Sequence, residues 1–279
     1  MISYLKTKNK DVSLFYRMDQ VKNAKANVII NHGFAEHLGR YDYVAKRLLD
    51  AGYNVLRYDL RGHGQSYGPK GYIDSYTNFI EDAKAMYDLM TVHNPGLETF
   101  MLGHSMGGLV TAMYGLEYPD TLAGQIFSGA AYGKLPAASG YKAKLLSTLA
   151  KTSPKLQMKN VVEDDICSVP EVVNEYKNDP LVLKKASFNF YNEFLNEASD
   201  FVLEYMYEYD LPCLILHGED DAIVPVELSY EFYEQIASMD KELITYPGLY
   251  HEILNEDEKD EIMTTIIEWL DSRQNAGSN

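Results

Sequence analysis

The chain predicts an α/β fold, in which a mostly parallel sheet carries helices on both faces and one inserted helical segment. Three observations lead there. Short, mainly apolar runs, the mark of strands buried on both faces, recur at 28–30, 53–58, 100–102, 125–127, 213–216 and 243–246. Helix-spaced apolar stripes stand between them. The alternation breaks after Ser128 and resumes at Cys213, so the stretch between reads as an insertion into one sheet rather than a second serial domain.

Each element has its own warrant. Residues 11–17 place Val12, Leu14 and Tyr16 on one face, the alternation of an early antiparallel strand. The run Val28-Ile29-Ile30 ends at Asn31-His32-Gly33, and a helix follows with Tyr43, Val44, Leu48 and Leu49 on one side, stopping at Gly52. The strand at 53–58 closes on a Gly-rich turn at 59–66. Phe79, Ile80, Ala83, Met86, Tyr87 and Met90 form a helical stripe before Asn94-Pro95-Gly96. The inserted stretch bears helical stripes (Leu145, Leu146, Leu149) and an aromatic group (Phe188, Phe190, Tyr191, Phe194), without a buried parallel strand. A last helix carries Ile262, Ile266, Ile267 and Leu270, and residues 274–279 read as a loose tail. The expected organisation is a core at 1–131, an inserted helical cap at 132–205 and the rest of the core at 206–279.

Composition bounds the function. A 46% hydrophobic, 24% charged chain of 279 residues fills a sizeable core, which excludes disorder. Forty-one acidic against 25 basic residues give a net charge of −16, which argues against nucleic acid and anionic-lipid docking, while leaving a neutral apolar substrate open. The N-terminus has no apolar core or cleavage site of a signal peptide, and no segment approaches the roughly 20 apolar residues of a membrane span. Cys167 and Cys213 are far apart and outside metal-ligand spacings, as expected for a soluble cytoplasmic protein without metal or structural disulfide.

The chemistry centres on Gly103-His104-Ser105-Met106-Gly107-Gly108. It follows the apolar run at 100–102 and opens into a helix-spaced set, the strand–turn–helix context in which Gly-x-Ser-x-Gly becomes a nucleophile elbow. Side chains two before and two after the serine would collide in so tight a turn, so glycine is needed at both. A serine hydroxyl needs a base, and on this architecture the acid and then the histidine should follow it, each in a loop after a strand. The strand at 213–216 runs into Glu219-Asp220-Asp221, where three carboxylates compete; the spacing from Gly218 in proteins of this architecture selects Asp221, with Asp220 the fallback. The strand at 243–246 runs into a loop holding His251, which alone among seven histidines combines the right order with a post-strand loop. His32 and His217 read as loop braces, His93 lies near a helix end, and His104 is expected to point away from the serine's face. The N–H groups of Met106 and Phe34 are the expected oxyanion donors, each worth ~10²–10³ in turnover, and their side chains are expected to make the pocket entrance apolar.

His32-Gly33-Phe34-Ala35-Glu36-His37-Leu38-Gly39-Arg40-Tyr41 resembles the oxyanion-loop motif of the monoacylglycerol lipase and lysophospholipase family of α/β-hydrolases. The segments at 59–66, 103–108, 218–221 and 250–251 resemble that family's next loop, elbow, acid and base segments, and Tyr-Lys-Asn-Asp-Pro-Leu at 176–181 a segment of its lid. The resemblance runs from about 28 to 270 and implies the α/β-hydrolase fold with a cap. It further implies cofactor-free hydrolysis of a monoacylglycerol or similar single-chain ester with an apolar acyl chain, by Ser105, His251 and Asp221. Lysophospholipid or cinnamoyl and feruloyl esters are the alternative substrates, the latter because 23 tyrosines leave room for a pocket that stacks on aromatic acids. A non-catalytic small-molecule binder is the reading from another class.

Overall fold

The computed structural model describes residues 1–8, 11–160 and 164–274; residues 275–279 of the expected tail lie outside the described residues. Among the described residues one eight-stranded sheet runs β1 (Ile2–Lys6), β2 (Ser13–Asp19), β4 (Asn54–Tyr58), β3 (Asn27–Asn31), β5 (Thr99–His104), β6 (Gly124–Ser128), β9 (Cys213–Gly218), β10 (Lys241–Tyr246). β1 pairs antiparallel with β2 and β2 antiparallel with β4, and all pairings from β4 to β10 are parallel. The mostly parallel sheet expected from the alternating pattern is the one observed. β1 escapes sequence reading because it is an edge strand with largely exposed side chains and so has no buried face to pattern.

Two cores form on opposite faces because successive strand side chains alternate. Val28, Ile30, Phe100 and Leu102 pack with Val44 and Leu48 of α1 (Asp42–Asp50) and with Ile262, Ile266 and Trp269 of α9 (Lys259–Arg273). Ile29 and Met101 face the other way, into Phe79 and Met86 of α2 (Thr77–His93), Leu109 and Met113 of α3 (Met106–Glu117), and Phe232 of α8 (Glu227–Gln235). Arg61 is buried beside α2 and held by both oxygens of Asp82, at 2.9 and 2.6 Å, which pins the 59–66 loop. Burial outweighs the guanidinium and raises the Asp82 carboxyl to about 6.

Between β6 and β9 the chain builds the inserted region: α4 (Tyr141–Thr152), α5 (Pro170–Asn178), α6 (Phe188–Asn192) and α7 (Ser199–Tyr205), with an antiparallel pair, β7 (Gln157–Lys159) and β8 (Lys185–Ser187). That pair is too short for a periodic signal in sequence. Glu193–Ala198, joining α6 to α7, is a π-helical turn. The insertion sits over the carboxyl ends of the parallel strands. It is anchored by the N–H of Leu183 donating to the Ala35 carbonyl at 2.8 Å and by His37 Nε2 facing Asp179 at 2.7 Å. No helix among the described residues is long and apolar enough to cross a membrane.

Candidate active site

β3 has β4 on one side and β5 on the other, so the chain leaves it in both directions and a crevice opens at the carboxyl ends of β3 and β5. Ser105 stands there, between β5 and α3, with φ 53° and ψ −120°. A non-glycine residue is strained at positive φ and persists only where its surroundings fix it. Here the Ser105 N–H donates to the Ser128 carbonyl at 3.0 Å, and its own carbonyl accepts from Gly108, Leu109 and Ala131 at 2.9–3.1 Å. The elbow glycines answer to space. A Cβ on Gly103 would strike the Thr111 hydroxyl and the Gly107 carbonyl, and one on Gly107 the Asn31 and His32 carbonyls.

Of the three carboxylates after β9, Glu219 and Asp220 are exposed and Asp221 is buried. Asp221 Oδ1 accepts the N–H groups of Ile223 and Val224, both at 2.8 Å. Its Oδ2 faces His251 Nδ1 at 2.6 Å and His217 Nε2 at 3.1 Å. These charged and polar contacts overcome burial and hold its carboxyl well below the ordinary range. With Nδ1–H given to Asp221, His251 keeps Nε2 as its open acceptor. Burial alone would lower the His251 pKa, but the charge and hydrogen bond of Asp221 exceed that effect and raise it. His217, read from sequence as a loop brace, also meets Ser229 Oγ at 2.7 Å, so it braces Asp221 itself. The other expected brace, His32, accepts the Leu60 N–H at 2.9 Å.

Ser105 and His251 line one cavity of about 580 Å³ beneath the insertion. Its wall is chiefly apolar, with Phe34, Leu146, Leu149, Tyr191, Phe194 and Ile223 among the lining side chains. Phe34 meets Phe190, Tyr191 and Phe194 at ring-centroid distances of 5.5, 5.4 and 6.1 Å, so the aromatic group picked out in sequence is at once the insertion's own core and part of the wall. The N–H of Met106 opens α3 and has no carbonyl one turn earlier to bond. That of Phe34 lies in the turn after β3, where Ala35 is also at positive φ, 68°.

Two expectations are corrected. The Met106 side chain is fully buried in the core, because α3 lies on the sheet and turns its first side chain inward; of the two, Phe34 alone lines the cavity. His104 does not point away. Its Nδ1 is held by the Ser128 carbonyl on β6 at 2.9 Å, and this lays its ring against that of His251, centroids 4.6 Å apart. Burial, with the neighbouring His251 adding to it, lowers the His104 pKa to about 3, so the ring stays neutral. Among the described residues no cluster of His, Cys, Asp or Glu is arranged to hold a metal ion.

Residues 22–258 match the family described as serine aminopeptidase, S33. The chain belongs to that family of α/β-hydrolases. It is 33% identical over 251 residues to a monoacylglycerol lipase of Mycolicibacterium smegmatis, covering 87% of each chain. It is 29% identical over 242 residues to the phospholipase YtpA of Bacillus subtilis, covering 85% of this chain and 92% of that one. Among solved structures, the monoacylglycerol lipase of Paleococcus ferrophilus superposes with a TM-score of 0.85 at 28% identity, over 93% of this chain and 99% of that one. This α/β-hydrolase is therefore similar to monoacylglycerol-lipase-like members, within a serine-hydrolase architecture.

Proposed function

We propose that the chain is a serine carboxylic-ester hydrolase of monoacylglycerol lipase type, acting on a monoacylglycerol or similar single-chain ester. The observation that carries this reading is the Asp221–His251 pair opening onto the same apolar cavity as a strained Ser105. Ser105 Oγ attacks the ester carbonyl carbon as His251 Nε2 takes its proton. The N–H groups of Phe34 and Met106 hold the resulting oxyanion, at the amino end of α3, whose dipole favours negative charge. The C–O bond to the alcohol breaks, and His251 returns the proton to the departing oxygen. Water then gives a proton to His251 and attacks the acyl-serine, and the acid leaves as Ser105 Oγ regains that proton. Asp221 stays ionised throughout and steadies the imidazolium. The cap, taken as residues 132–205, walls the acyl chain.

The aromatic rings of Phe34, Tyr191 and Phe194 in the wall favour one second reading, an esterase for aromatic acids of the cinnamoyl or feruloyl kind. Hydrolysis of p-nitrophenyl esters from C2 to C16, beside 1-monoacylglycerol and methyl ferulate with Ser105→Ala as control, separates the two. Turnover rising to medium or long chains and on monoacylglycerol supports the lipase reading. Turnover confined to methyl ferulate and C2–C4 esters supports the second, and none at all returns the chain to the non-catalytic binders.

A further inference from the structure

A buried ionic bridge runs behind the cavity, and the reaction written above makes no use of it. Arg40, in the short turn Leu38–Tyr41, donates from Nε to Glu36 Oε2 at 3.2 Å and from Nη2 to Glu252 Oε2. The three side chains are only 9, 4 and 5% exposed. The ring of Tyr176, from α5 of the insertion, covers the guanidinium, 5.0 Å from its centre. The array is negative–positive–negative and so buries one uncompensated charge. Well-packed apolar residues of similar volume often serve as well as or better than a buried ionic array, because desolvating an ion costs several kcal/mol. Stability alone does not account for the array, and what its ends touch supplies the reason.

At one end, Glu36 Oε1 accepts the Gly33 N–H at 2.5 Å and the Tyr41 hydroxyl at 2.8 Å, which fixes the loop that carries Phe34. That loop has no slack, since a Cβ on Gly33 would stand 3.2 Å from the Ser105 Cβ. At the other end, Glu252 directly follows His251. Its N–H donates to the Ile166 carbonyl of the insertion at 2.7 Å, and its Oε2 also accepts from Asn255 at 2.8 Å.

We propose that Arg40 and Glu252 are positioning residues: their ion pair holds the oxyanion loop and the loop of His251 at one spacing under the seated insertion, and keeps a negative charge beside the base. The inference rests on the hydrolase reading above. The charged and titratable groups around His251 are Asp221 at Nδ1, the neutral His104 against the ring, Glu36 and Arg40 from the turn after β3, and Glu252 next to it in the chain. Burial opposes the charged ring, Asp221 is its main support, and Glu252 and Glu36 add to it.

Glu252→Gln tests this, because it removes the charge and keeps the shape. In the intact chain, with p-nitrophenyl butyrate and 1-monoacylglycerol, kcat should fall about tenfold with KM within about twofold, the signature of an interaction used in the transition state. The inflection of the pH–rate profile should move to lower pH, which a merely structural role would not produce. Arg40→Met should cost about 10² in kcat, and Arg40→Met with Glu252→Leu should be no slower than Arg40→Met alone, because the pair acts as a unit. Should Arg40→Met fail to fold, Glu252→Gln alone decides. An unmoved inflection in a folded Glu252→Gln chain overturns the proposal, whatever happens to kcat. A wild-type chain inactive on every ester overturns the hydrolase reading instead, and so the two failures are told apart.

Discussion

His251 donates from Nδ1 to Asp221 Oδ2 at 2.6 Å, and that one oxygen also receives His217. The bond decides how activity should follow pH. On the proposed mechanism His251 is the base and must be neutral, so the rate should fall on acidification through its pKa. Burial pulls that pKa down and Asp221 pulls it up by more. The inflection in kcat/KM is therefore expected above the ordinary histidine value of about 6.5. Asp221→Asn should move it downward and cost about 10⁴ in kcat, since the ring also loses the partner that fixes its tautomer. A pH–rate profile of both proteins checks the shift, and a flat profile down to pH 4 argues against a histidine base.

Removing the hydroxyl of the proposed nucleophile should separate chemistry from fold. Ser105 is held through its backbone by Ser128, Gly108, Leu109 and Ala131, none of which needs the hydroxyl. Ser105→Ala should thus lower ester hydrolysis by about 10⁴–10⁶. Its melting temperature should stay within about 2 °C of wild type, as a change under 1 kcal/mol implies in a chain of this size. Near-wild-type turnover would remove Ser105 from the mechanism.

β3, β5, β6 and β9 were readable because burial on both faces leaves them mainly apolar, β10 by its apolar run although it is a partly exposed edge, and the elbow because sterics dictate its glycines. The segments without such pressure were not. β1 is an exposed edge, and β7 and β8 are three residues each. Side-chain direction was also hidden: the sequence order of His104 and Met106 says nothing of the β6 carbonyl that turns one toward His251, or of the core that draws the other in. Glu36 and Arg40 stood in the quoted motif, but Glu252 comes from a loop more than 200 positions on, and only the fold brings it to Arg40. Charge spacing along a chain finds partners within a helix turn, not across a sheet.

Gly107→Ala should damage both fold and rate. The added Cβ meets the backbone carbonyls of Asn31 and His32, which cannot swing aside as a flexible side chain would. α3 must lift from the end of β3, and this moves Ser105 and the Met106 N–H away from Phe34. A loss of about 1–3 kcal/mol, as for an overpacked core, is expected. That corresponds to roughly 2–12 °C in melting temperature. Thermal melts and kcat on p-nitrophenyl butyrate check it, and a mutant equal to wild type in both would contradict the packing.

Leu146→Trp should change which ester is used without touching the reacting groups. Leu146 lies on α4 in the cavity wall, half-buried, whereas Ser105, His251 and Asp221 belong to loops after β5, β10 and β9. A bulkier ring there shortens the space for an acyl chain and leaves the carbonyl end alone. A pocket distinguishes substrates by about 10–200-fold per misfitted methylene-sized group. Turnover of C10–C16 esters should therefore fall at least about tenfold relative to C2–C4 esters, whose kcat/KM should hold within about twofold. Equal losses at every chain length would mean that α4 does not wall the acyl chain, and that the apolar stripe serves only the insertion's own packing.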